Sequence, residues 1–140
     1  MLLDLGFKWV SAKYPPHEVG DVGKPPAQRV LDDIVAQQAA AQPSKYPTGL
    51  IEIPMAPISD IGAFRNGRWP LASFLDAIRL GVQRVIATGG VYDFLAHPAC
   101  LYVTDPKFQA VDLICDLVKR AGDRAALVDL DTIAARVAPV

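Results

Sequence analysis

Short apolar runs alternate four times with stretches of helical period, and this alternation restricts the fold more than any other property of the chain. The runs are Phe7–Ala12, Leu50–Met55, Val91–Ala96 and Ala125–Val128. Each is bounded on at least one side by glycine, proline or aspartate, the residues that end strands. Between the first two lies a helical stretch over about Ala27–Gln42, with Val30, Leu31, Ile34 and Val35 on one face. Leu71, Phe74, Leu75, Ile78, Val82, Val85 and Ile86 predict a long amphipathic helix stopped by Gly89-Gly90. Asp105-Pro106 reads as a helix start, with the aspartate as cap and the proline in the first helical position. Phe108, Val111, Ile114, Cys115 and Val118 would be its buried face, and Asp131 caps a short last helix with Ile133 and Val137. Strand–helix alternation specifies parallel strands joined by crossover helices. Runs apolar along their whole length fit a sheet covered on both faces. The expectation is an α/β fold of four parallel strands with the helices outside them.

A length of 140 residues with 51% hydrophobic side chains suits one domain with a sizeable core. The net charge is −1 and the 14 basic residues are dispersed, which argues against nucleic acid or an anionic membrane as partner. No apolar run approaches the ~18–20 residues of a membrane span. Asp4 follows Met1-Leu-Leu at once, which does not fit a signal peptide. As it stands the chain reads as soluble and cytoplasmic. Its opening resembles the tail of a helix, so the expectation is a partial domain over residues 1–140 whose beginning lies elsewhere. Cys100 and Cys115 lack metal-ligand spacing and read as buried, reduced core residues.

His97 is one of only two histidines, and it ends an apolar run with Pro98 directly after it. The carboxyl end of a strand is where α/β folds usually place their chemistry, and an imidazole there can protonate a leaving group near neutral pH. The run and loop from Glu52 through Ser59-Asp60-Ile-Gly-Ala-Phe-Arg65 bring two carboxylates and a guanidinium into one short connection. Asp60 can orient an imidazole or pair with Arg65. Arg65 can clamp a carboxylate or sugar hydroxyls. Trp69 can stack on a sugar ring or pack its helix onto the sheet, and Tyr14, Pro15 and Pro16 can form an aromatic wall beside Trp9. His17, near Glu18 and Asp21, sits in a proline- and glycine-rich loop and reads more readily as a polar loop residue than as a metal ligand. No H-x-x-x-H, Cys–His cluster, G-x-S-x-G or phosphate-binding G-x-G-x-x-G occurs.

Four segments carry a resemblance to the C-terminal half of a polysaccharide deacetylase (NodB-homology, carbohydrate esterase family 4-like) domain. They are Leu5-Gly-Phe-Lys-Trp-Val-Ser-Ala-Lys-Tyr-Pro15, Ile53-Pro-Met-Ala-Pro-Ile-Ser-Asp-Ile-Gly62, Asp93-Phe-Leu-Ala-His-Pro98 and Leu127-Val-Asp-Leu-Asp131. The resemblance implies a partial, half-sized portion of a distorted (β/α) barrel and hydrolysis of N-acetyl or related amide groups on carbohydrate. It makes His97 the acid that protonates the departing amine and Asp60 its catalytic companion, while residue type and position, not the resemblance, make Arg65, Trp69 and Glu52 the expected substrate contacts. Family members of full length use a divalent metal, zinc or similar. Its aspartate and paired-histidine motifs have no counterpart here, so this chain alone is expected to bind none and to be inactive by itself. The alternatives are a non-catalytic module binding N-acetylated glycan through Trp69, Arg65 and Trp9, or a half-barrel completed by self-association or by a separate N-terminal half.

Overall fold

The computed structural model describes residues 2–137. In chain order the elements are β1 (Trp9–Val10), α1 (Gln28–Ala40), β2 (Ser44–Lys45), β3 (Ile51–Glu52), a π-helical turn (Ile61–Asn66), α2 (Leu71–Thr88), α3 (Pro98–Thr104), α4 (Gln109–Ala121) and α5 (Leu130–Val137). Short 3₁₀ turns stand at Leu3–Leu5 and Gly122–Arg124.

A partial parallel barrel is not what these residues build. The sheet is small and mixed, in the order β1-β3-β2. β1 runs parallel to β3, with Trp9 opposite Ile51 and Val10 opposite Glu52, whereas β2 pairs antiparallel with β3. Of the four expected strands, Val91–Ala96 contributes one isolated parallel bridge, Asp93 opposite Met55, and Ala125–Val128 forms no strand. Proline accounts for part of this. Pro54 and Pro57 have no N–H to donate, so the ladder beyond β3 continues only through Ile53 N–H to Val10 O (2.9 Å), Met55 N–H to Lys13 O (2.9 Å) and Ala56 N–H to Asp93 O (2.8 Å). Ala125–Val128 meets no free strand edge, and Leu127 is left 62% exposed. Apolar character in a short run does not by itself separate strand from coil.

Helix packing supplies most of the burial. α2 lies between α1 and α4, and its Phe74, Ala77, Ile78 and Val82 join Val30 and Ile34 of α1, Leu101 of α3, Ala110 of α4 and the loop residues Ile58 and Trp69 in one core. Phe74 is fully buried and meets Phe64 edge-on at 4.7 Å between ring centres. Sealing a side chain of that size from water stabilises by about 1.5–3 kcal/mol. Gly81 lies inside α2, where glycine normally costs a helix about 1 kcal/mol. A Cβ there would stand 2.7 Å from the Tyr92 ring, so the close approach of the Val91–Ala96 segment requires it.

Two helix starts differ from expectation. Pro98 does not merely stiffen the chain after His97: it occupies the first turn of α3, behind a His97 with extended backbone. α4 begins at Gln109, later than Pro106. Asp105 still acts as its cap from a turn upstream, taking the N–H groups of Gln109 (2.9 Å) and Ala110 (2.8 Å) on its two fully buried oxygens. Both cysteines are free thiols, but Cys100 is only half-buried and Cys115 is exposed. Among the described residues no helix is long and apolar enough to cross a membrane.

Candidate functional site

Three local features converge on one point. The loop after β3 ends in Ser59-Asp60, which opens the π-helical turn. That turn is widened by a bond from Gly67 N–H to Gly62 O (2.9 Å), the wide-turn geometry often found at functional sites. α3 packs against it and brings the residue preceding its own Pro98 onto Asp60.

Asp60 is fully buried, and each of its oxygens meets His97. Oδ2 accepts the backbone N–H of His97 at 2.9 Å, and Oδ1 lies 2.9 Å from the ring Nδ1. A carboxylate only accepts, so Nδ1 carries the hydrogen and Nε2 is left for another partner. The His97 side chain is 46% exposed. A buried charge is thus compensated by two charge-assisted bonds while the far edge of the imidazole faces outward. This is an orienter–imidazole pair, able to present or withdraw a proton at Nε2.

Cys100, one turn along α3, faces the same carboxylate. Burial pushes its thiol above the ordinary value, the Asp60 charge and a hydrogen bond to it add to this, and Arg65 opposes them. Such a thiol is a poor nucleophile. Arg65 is therefore close enough to act on the site, at the last turn of the π-helix and exposed to solvent. It forms no ion pair with Asp60, whose ion pair is with His97.

The other expected site residues lie elsewhere. Trp69 is a core residue, 3% exposed, and its Nε1 donates to Val19 O at 2.7 Å, so its ring faces are not open to a sugar. Trp9 donates from Nε1 to Asp131 Oδ1 at 2.7 Å. Glu52 is buried beside β1: Oε1 takes the N–H groups of Ala12 (2.9 Å) and Lys13 (2.8 Å), and Oε2 takes the Tyr46 hydroxyl (2.9 Å). Burial alone would raise its carboxyl, but those three donors and the nearby Lys13 charge outweigh it and hold Glu52 below the ordinary range. Its place is that of an anchor for the loop that follows β1.

His17 does not form a ligand group with its neighbours. Its Nδ1 lies 3.2 Å from Pro15 O, Glu18 is paired with Arg29 (3.0 Å) and Asp21 with Lys24 (3.2 Å). Among the described residues no three histidine, cysteine, aspartate or glutamate side chains gather as a metal site. Without such a donor set the described residues do not fit the divalent metal that the resemblance implies, and no step here is routed through one. A cavity of about 490 Å³ opens between α2, α4 and α5, lined by Val82, Ile114, Leu130 and Asp93 among others, and it includes neither Asp60 nor His97.

Two residues at the site take roles that differ from the sequence reading, in which Ser59 is only part of its loop and Tyr14 belongs to an aromatic wall beside Trp9. The Tyr14 hydroxyl accepts the Ser59 N–H (3.0 Å) and bonds the Ser59 hydroxyl (3.1 Å), while Ser59 Oγ accepts the N–H of Gly62 (3.2 Å). The serine directly before Asp60, three residues ahead of a helical N–H, is the pattern that signals such a cap. The pairing of Tyr14 with it, 45 positions away, leaves no local trace. No family model, no curated protein and no solved structure matches this chain.

Proposed function

We propose that this chain is the histidine-bearing part of a polysaccharide-deacetylase-like hydrolase, acting on N-acetyl or related amide groups of carbohydrate. The observation that carries the reading is the Asp60–His97 pair, in which a fully buried carboxylate holds both the backbone and the ring of a half-exposed histidine. The substrate class rests on the resemblance of the segments that contain these two residues.

In the proposed reaction water adds to the amide carbonyl and the C–N bond breaks. His97, as imidazolium, gives its Nε2 proton to the departing nitrogen, so that an amine and a carboxylic acid result. Asp60 keeps Nδ1–H in place throughout and offsets the ring's positive charge before transfer. Arg65, exposed at the same opening, contacts the sugar or a carboxylate on it. Activation of the water is assigned to groups outside these residues, and the chain by itself is expected to be inactive.

The test is complementation. The chain is mixed with the separately expressed N-terminal half of a full-length deacetylase, and acetate release from an N-acetylated chito-oligosaccharide is followed. Restored release that collapses in His97→Ala is the expected result. Full activity of the chain alone, or a complemented rate unchanged by His97→Ala, overturns the proposal.

A further inference from the structure

We infer that Tyr14 is a positioning residue for the Asp60–His97 pair, acting through Ser59. This rests on the reading of His97 given above and extends it to a side chain that touches neither member of the pair through a hydrogen bond.

The argument begins with how firmly Tyr14 itself is placed. Glu52 fixes the N–H groups of Ala12 and Lys13 on one oxygen, and Lys13 O takes the Met55 N–H. The next residue is Tyr14, and Pro15 and Pro16 after it restrict the backbone further. Its ring meets the His17 imidazole edge-on at 5.1 Å. Both side chains close on Gly62: a Cβ there would stand 3.1 Å from His17 Nε2 and 3.3 Å from the Tyr14 hydroxyl oxygen. The hydroxyl therefore reaches the start of the π-helical turn from a rigid support.

What it does there is hold two polar groups of Ser59, its N–H and its Oγ, while the turn itself holds the carbonyl. Tyr14 takes the Ser59 N–H and donates to its Oγ, Oγ takes the Gly62 N–H, and the Ser59 carbonyl takes the Ala63 N–H at 2.9 Å. Ser59 is buried, so none of these is readily replaced by water. With Ser59 fixed, the direction in which the adjoining Asp60 leaves the backbone is fixed as well. The 2.9 Å spacing of its two oxygens to His97 depends on that direction. Burial pushes the Tyr14 hydroxyl above its ordinary value despite the bonds from Ser59, which keeps it protonated and able both to accept and to donate.

Tyr14→Phe keeps the ring and removes only the hydroxyl. The measurement, on the isolated chain, is hydrogen exchange of the His97 Nδ1–H by ¹⁵N–¹H NMR, with the amides of α2 and α4 as internal reference. The expected result is exchange faster by about tenfold at His97, the effect of losing one net hydrogen bond, with the reference amides unchanged. Wild-type exchange at His97 in Tyr14→Phe overturns the inference. Should Tyr14→Phe lose its cooperative melting transition, the same measurement on Ser59→Ala decides, with faster His97 exchange supporting the inference and wild-type exchange overturning it. A loosened ring in Tyr14→Phe, together with a complemented deacetylation rate indifferent to His97→Ala, supports the positioning role and overturns only the function proposed above.

Discussion

Asp60→Asn tests whether the buried carboxylate sets the tautomer of His97. The carboxylate accepts the backbone N–H on one oxygen and the ring on the other, whereas an amide offers a single acceptor. The backbone N–H cannot move its hydrogen, so the amide oxygen stays with it and the NH₂ turns to the ring. If Nδ1 keeps its hydrogen, two donors meet in a buried place at a cost of about 1–3 kcal/mol. If the hydrogen shifts to Nε2, the amide donates to Nδ1 and the conflict disappears. What is then lost is the charge assistance, about 1 kcal/mol. The second arrangement wins. Asp60→Asn is therefore expected to unfold in urea with a stability lower by about 1 kcal/mol and with the imidazole tautomer inverted. Long-range ¹⁵N–¹H NMR on the alkaline side of the imidazole titration reads the tautomer. Asp60→Ala, which leaves both donors without an acceptor, is expected to lose about 2–5 kcal/mol. An Asp60→Asn protein of wild-type stability whose Nδ1 still carries the hydrogen refutes the reasoning.

Glu52 gives a pH signature. Its carboxyl is held below the ordinary range, so its stabilisation is complete above the unfolded glutamate value of ~4.3 and is lost as pH falls through the lower folded value. Both loop N–H groups converge on Oε1, so the amide of Glu52→Gln can keep them, and the variant is expected to flatten the acid limb of a urea-midpoint profile. An acid limb identical to wild type would refute this. Asp105→Ala strands two N–H groups of α4 and should cost about 2–4 kcal/mol in equilibrium unfolding. A loss under about 1 kcal/mol would mean that α4 is capped by other groups. Phe74→Ala, at the centre of the core, should cost about 3–5 kcal/mol, and a smaller loss would show that the surrounding helices close over the gap.

The helical part of this fold was largely written in residue spacing. Val30 and Ile34, and Phe74, Ile78 and Val82, recur at the period that α1 and α2 bury. Strand pairing was not legible to the same degree, because it depends on whether a partner edge with free donors lies alongside. Pro54 and Pro57 interrupt one such edge, and Ala125–Val128 never meets one. α3 is not expected from sequence: Pro98 reads there only as a stiff residue after His97, and seven residues carry too few turns for periodicity to reveal. At the site, Asp60 as a carboxylate able to orient an imidazole followed from residue type, and the structure brings it onto His97. For Trp69 packing is one of the two readings the sequence offers and it is the one found, whereas the anchoring role of Glu52 did not follow, since it depends on the loop after β1 folding back onto β3.

The Asp60–His97 bonds join positions 37 apart in sequence and enclose the whole of α2 in the loop they close. Two hydrogen bonds repay the closing of this loop, whereas burial of Phe74, Ile78 and Val82 drives α2 onto its neighbours, so the prediction is that this tie forms after the helices pack. A bond formed late acts chiefly on escape from the native state. Weakening it should therefore quicken unfolding while leaving the refolding arm of the chevron nearly where it was. The chain that carries the imidazole would then reach its native topology first and assemble its chemistry last.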